Sequence, residues 1–126
     1  KHTLKLITID TDGKIINSSK VKMSKEIKHM FKKEINDIEA LAYDGKNHIY
    51  AITSFTTNKE HQHNKAREHL IRFNYQNGEL SDLVMFDGLL EGLKELHPKL
   101  KKAIEKKDIS RKKEINIEGL AYDRAK

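Results

Sequence analysis

The stretch Lys32-Lys33-Glu34-Ile35-Asn36-Asp37-Ile38-Glu39-Ala40-Leu41-Ala42-Tyr43-Asp44 returns near the other end of the chain as Lys112-Lys113-Glu114-Ile115-Asn116-Ile117-Glu118-Gly119-Leu120-Ala121-Tyr122-Asp123. Only Asp37 lacks a counterpart in the second copy. A repeat of this length marks one structural unit used twice. Upstream of each copy, residues 4–15 alternate polar and apolar side chains around Asp12-Gly13, and residues 70–80 do so around Asn77-Gly78. Both are hairpins by pattern, because Asp-Gly and Asn-Gly supply the positive φ angles of a two-residue type I′ turn. Asp44-Gly45 is a third such turn, between strands over 38–43 and 49–54. Each period thus reads hairpin, helix, then a strand carrying Ile-Glu-x-Leu-Ala.

The helical segments fit between these strands. Ser24 is placed to cap a short helix over 23–33, in which Ile27, Met30 and Phe31 share one face. A second segment, 88–107, carries a stripe of Leu89, Leu93, Leu96, Leu100 and Ile104 with lysines opposite. Pro98 interrupts that stripe, which predicts a kinked helix or two abutting helices with Pro98 opening the second.

Strands over 38–43, 49–54, 69–75 and 80–86 make a four-stranded antiparallel meander, which is the form of a propeller blade. The expected fold is mainly β, with propeller-type blades and α-helical insertions. In that scheme 1–22 is the outer hairpin of one blade, 23–33 a short helix and 36–86 a complete blade, while 88–107 is a helical insertion and 115–123 the first strand of the next blade. The motif recurs after 79 residues rather than the ~40–50 of a usual propeller repeat, and the helical insertion with the long loop makes up the surplus. A closed propeller of even four blades needs more than ~160 residues, so a chain of 126 is expected to be a portion of a longer protein. Its exposed edge strands would then be covered by helices or open to self-association.

Composition narrows the function classes. With 37% apolar residues and no apolar run near the ~20 that span a bilayer, no transmembrane helix is expected. The absence of cysteine excludes disulfide scaffolds, thiolate metal sites and cysteine nucleophiles, and leaves the compartment open. No signal peptide is visible; a periplasmic or secreted location would follow if a leader has been removed. The net charge of +6 sits wholly in residues 94–113, where nine basic side chains face three acidic ones. Arg111 alone breaks the lysine pattern and no aromatic residue interleaves it, so the run reads as a solvated helix face rather than a nucleic-acid surface.

Glu39 and Glu118 stand at the same place in the two copies, at the mouth of an otherwise apolar strand. If the first strand of each blade lines a central channel, equivalent carboxylates converge there and repel unless a cation sits between them. Oxygen ligands of this kind suit calcium or magnesium, with Asp37, Asn116 and Asn36 as neighbouring donors. The same glutamates are equally explained as a strand-start signature that accepts hydrogen bonds in every blade. The loop 55–68 holds His61 and His63, with His69 just after; two histidines at i, i+2 suit a shared metal, but the flanking Lys59, Lys65 and Arg67 favour solvated rings. Ser54 ends its strand where a channel-facing hydroxyl would lie. There is no Gly-x-Ser-x-Gly elbow, phosphate-cradling glycine loop or His-Glu-x-x-His.

Asp37-Ile38-Glu39-Ala40-Leu41-Ala42-Tyr43-Asp44-Gly45, then Ile49-Tyr50-Ala51-Ile52-Thr53-Ser54, then 67–73 and the later Asn116-Ile117-Glu118-Gly119-Leu120-Ala121, resemble bacterial propeller-type domains of uncharacterised function. Those domains share an Ile-Glu-Gly-Leu-Ala strand with the esterase-like phytase group. The resemblance covers most of the chain from Asn36 onward. Ala40 stands where that strand has glycine, and Thr53-Ser54-Phe55 stands where a Ser-His-Ser-like strand end is expected. A more distant resemblance is to six-bladed lactonase and gluconolactonase propellers, whose Glu-Gly at a blade's first strand supplies a metal ligand; by that likeness Glu39 and Glu118 would be ligands. The resemblance implies a divalent-cation-dependent ester or phosphoester hydrolase acting on an anionic small molecule. The alternative is a non-catalytic propeller module that binds protein or glycan, and fold likeness alone does not choose between them.

Overall fold

The computed structural model describes residues 4–60, 62–105 and 115–124. Strands β1 (Lys5–Ile9) and β2 (Ile15–Lys20) form a separate two-stranded antiparallel sheet. After them come β3 (Lys22–Met23), helix α1 (Lys25–Lys33), β4 (Ile38–Tyr43) and β5 (His48–Thr53). A 3₁₀ turn at Lys65–Arg67 precedes β6 (Leu70–Gln76) and β7 (Glu79–Phe86), and helices α2 (Leu89–Leu96) and α3 (Pro98–Glu105) follow. The protein is mainly β, with a curled five-stranded sheet in the order β3-β7-β6-β5-β4.

The sheet is mixed, where the sequence predicts an antiparallel one. Lys22 and Met23 pair in parallel with Glu79 and Leu80 on the outer edge of β7. The chain leaves its first hairpin with Lys22 N–H donating to Gly78 O at 2.9 Å, and this sets Ser24 beside Leu80. A two-residue strand has no periodicity to read, so its direction was invisible in the pattern.

Of the three glycine turns, only Asn77-Gly78 is a two-residue loop with both residues at positive φ, 50° and 75°. The other two are longer because an aspartate organises them. Asp10 Oδ1 accepts from the amides of Asp12 and Lys14, and Asp44 Oδ1 from those of Lys46, Asn47 and His48, at 2.8–3.0 Å. Local side-chain bonds of this kind replace the tight turn.

The core lies on one face of the five-stranded sheet. Register brings Ile49 opposite Phe73 and Ala51 opposite Ile71, so these side chains share a face. Helix α1 covers it with Ile27 and Phe31, continued by Ile35, and Phe31 stacks on Phe73 with ring centroids 5.5 Å apart. Ser24 Oγ accepts from Ile27 N–H at 3.2 Å, so the cap forms where the sequence places it. Each such side chain contributes about 1.5–3 kcal/mol by leaving water. Pro98 opens a new helix instead of kinking one, and the break falls at His97. No helix among the described residues is long and apolar enough to cross a membrane.

Candidate functional site

The first motif copy enters β4 through a bend. Asp37 holds φ 63°, a left-handed conformation that aspartate tolerates better than a branched residue. Across from it Phe55 holds φ 58°, and Ser54 N–H donates to Asp37 O at 3.0 Å. The two bends turn the end of β5 and the start of β4 toward each other. Ser54 Oγ donates to Asp37 Oδ2 at 2.7 Å and lies 2.9 Å from Thr56 Oγ1. Asn36 N–H donates to Ala66 O at 2.6 Å, which ties this entry to the 3₁₀ turn. That turn brings in Arg67, whose Nη1 donates to Thr56 Oγ1 and Thr57 O, both at 3.1 Å. Its buried Nε lies 3.5 Å from Asp37 Oδ2, close enough for charge attraction without a hydrogen bond.

The second motif copy closes the site. Ile117 N–H donates to Ser54 O at 2.8 Å, and Tyr122 stacks on Tyr50 with centroids 5.8 Å apart. The Arg124 guanidinium rests where a side chain on Gly45 would sit. Residues 117–124 therefore run along β5 from its end to its beginning. Strand β4 runs along β5 in the same sense, with Ile38 opposite Thr53 and Ala42 opposite Tyr50. The two copies are parallel to each other, and their equivalent ends meet. Unlike β4, residues 115–123, expected as the first strand of a next blade, run without forming a strand.

Where these ends meet is a cavity of about 400 Å³, lined by Asp37, Glu39, Ser54, Thr56, Thr57, Arg67 and Asn116. Three of the four candidate ligands, Asp37, Glu39 and Asn116, line it together. Glu118 is not in the lining; its Oε1 accepts from Asn116 Nδ2 at 2.5 Å. Among the described residues no three His, Asp or Glu side chains are arranged to hold a metal ion, so the oxygen donors gathered here are of mixed kind: two carboxylates, hydroxyls and an amide. Ser54 is 1% exposed, a buried hydroxyl committed to a carboxylate.

The histidines go elsewhere. His61 lies outside the described residues. His63 bonds to Glu68 and to Ile104 O, while His69 Nε2 is 3.2 Å from Glu34 O. Much of the basic run, residues 106–113, also lies outside the described residues. Lys94, at its start, donates to Glu91 at 2.7 Å, and that bond raises its pKa.

Thr56, Thr57 and Arg67 were not legible as site residues. Their one signal was that Ser54 ends a strand beside a polar loop, so the next hydroxyls and the loop's arginine were the side chains within reach. Comparison with protein-family models, with curated proteins and with solved structures finds no match.

Proposed function

We propose that the chain is part of a propeller-type protein, with residues 36–86 as one blade, and that the cavity at the start of β4 binds a hard divalent cation with an anionic ester or phosphoester. The observation that carries this reading is the parallel course of the two motif copies along β5. Radial repetition around a channel needs successive blades to present the same end of their inner strands at one rim. The curl of the sheet is compatible with that geometry.

The donors of the lining are oxygens, the ligand type of calcium and magnesium. Glu39 and Asn116 would hold the ion together with the Asp37 carboxylate. Arg67 is the cation of the lining and would pair with the negative charge of the ligand. The chemistry such a cation would supply is polarisation of an ester or phosphoryl oxygen and a lowered pKa of water. Ser54 has its hydroxyl buried against Asp37, so its part is to orient that carboxylate rather than attack.

The competing reading is a non-catalytic module for protein or glycan. The contact of Arg67 with Asp37 favours it, because a guanidinium beside a carboxylate opposes a second cation. Thermal unfolding in millimolar calcium or magnesium, against chelator, separates the two. The cation reading expects a rise in Tm, since a ligand of the folded state stabilises it by mass action, and expects Glu39→Gln to lose that rise. No rise with either metal leaves the non-catalytic reading.

A further inference from the structure

We propose that Arg67 is the built-in counter-ion of Asp37, and that through it a cation and an anion bind the polar cavity cooperatively, each strengthening the other. This rests on the reading of that cavity as a site for a divalent cation with an anionic ester or phosphoester.

The guanidinium faces Asp37 without bonding to it. Its Nη1 donates to Thr56 Oγ1 and Thr57 O, both at 3.1 Å. Its Nε is buried, has no acceptor among the described residues and stops 3.5 Å from Asp37 Oδ2. A guanidinium and a carboxylate free to move close to about 2.7–2.9 Å. Neither is free here. Asp37 sits in a left-handed bend at φ 63°, its carbonyl accepts from Ser54 N–H at 3.0 Å and its Oδ2 from Ser54 Oγ at 2.7 Å. Arg67 is carried by the 3₁₀ turn, which the bond from Asn36 N–H to Ala66 O fixes to the same bend. The pair therefore has its attraction but not its hydrogen bond, and a buried donor is left without a partner.

Arginine does not give up its charge, so Asp37 faces one cation before any ligand arrives. Of the charged groups in the lining, Asp37 and Glu39 are negative and Arg67 is positive. Arg67 thus opposes a divalent ion at one of the carboxylates that would hold it. An anion that takes the guanidinium cancels this opposition, and a cation that takes Asp37 releases the guanidinium to the anion. The Arg67 side chain is 28% exposed, so its charge is within reach of a ligand although Nε is not. The hydroxyls of Ser54 and Thr56 are neutral; they steady Asp37 without entering the competition.

Calorimetric titration of the full chain with magnesium, with and without inorganic phosphate at one ionic strength and against free magnesium, tests the coupling. Phosphate should tighten magnesium binding about tenfold, and magnesium should tighten phosphate binding by the same factor, because coupling between two ligands is reciprocal. Arg67→Gln removes the competing charge. Magnesium alone should bind this variant about five- to tenfold more tightly than it binds wild type, and phosphate should then add little. An arginine that only braces the loop predicts the opposite sign, weaker binding in the variant. If magnesium and phosphate both bind wild type but independently, the coupling is overturned and the reading of the cavity stands. Magnesium that binds Arg67→Gln no more tightly than wild type overturns the role of Arg67. No magnesium binding to wild type, with or without phosphate, overturns the cavity reading and the coupling with it. Should Arg67→Gln fail to fold, the NMR signal of the Arg67 Nε–H in wild type decides. Magnesium and phosphate together should move it further than the sum of their separate effects, and a purely additive or absent shift overturns the proposal.

Discussion

Tyr122 stacks on Tyr50 with the two ring planes 18° apart, and this pair holds the second motif copy over β5. Five residues earlier, Ile117 N–H closes the other end of the segment on Ser54 O. A double-mutant cycle with Tyr50→Ala and Tyr122→Ala should give a coupling of about 0.5–1.5 kcal/mol, read by urea denaturation. Tyr122→Ala should also raise hydrogen exchange at the Ile117 amide, since the segment loses one of its anchors. Zero coupling would mean that the copies are not held in register.

Asp37 combines a left-handed backbone with a carboxylate that satisfies a buried hydroxyl. The two demands separate by substitution. Asp37→Asn keeps an oxygen for Ser54 and tolerates positive φ, so it should cost under about 1 kcal/mol. Asp37→Ala takes the carboxylate acceptor from Ser54 Oγ, which keeps its contacts with Thr56, and meets the left-handed penalty, and should cost about 1–3 kcal/mol. Equal losses in equilibrium denaturation would show that the charge opposite Arg67, not the turn, is what matters.

Asp44 is held well below the usual carboxylate range, chiefly by the backbone N–H of His48, with the Lys46 and Asn47 amides and the His48 ring adding to it. A folded-state pKa that is depressed contributes stability above the unfolded value, about 3.9, and that contribution is lost as pH falls. The stability gap between wild type and Asp44→Asn should thus be widest near neutrality and close in acid. Urea denaturation at stepped pH measures it; a gap that does not vary with pH would assign Asp44 a role independent of its charge.

The strands, helices and core face were legible because each rests on a short-range pattern. Ile27 and Phe31 recur at helical spacing, and Asn77-Gly78 dictates its own turn. The parallel edge strand was not, because two residues carry no period. Of the cavity lining, Glu39 and Asn116 belong to the repeat, and Asp37 is the residue that its first copy has and its second lacks. Arg67 was not legible, since it arrives through the 3₁₀ turn and a backbone bond between Asn36 and Ala66, and neither leaves a trace in spacing. Glu118 does not line the cavity although its copy is the better motif match; its carboxylate accepts from Asn116, which does.

The hairpin β1–β2 carries the largest unburied apolar group in the described chain. Ile7, Ile9, Ile15 and Ile16 are 51–64% exposed, and β1 and β2 pair only with each other. A lone two-stranded ribbon is marginal in water, and open apolar edges recruit further strands. Only Leu4 and Val21, at its base, pack against the core. Its tip therefore contributes little to the stability of the main sheet while offering both edges to another chain. Ile7→Lys with Ile16→Thr places a charge on one strand and a hydroxyl on the other. Light scattering across a concentration series should show a wild-type mass that grows with concentration and a variant mass that stays at one chain. Unfolding of the core should shift by no more than about 0.5 kcal/mol, as for other surface changes. A larger loss would mean that the ribbon supports α1 and the core beneath it, and a wild-type mass that is constant would mean that its apolar faces recruit no second chain.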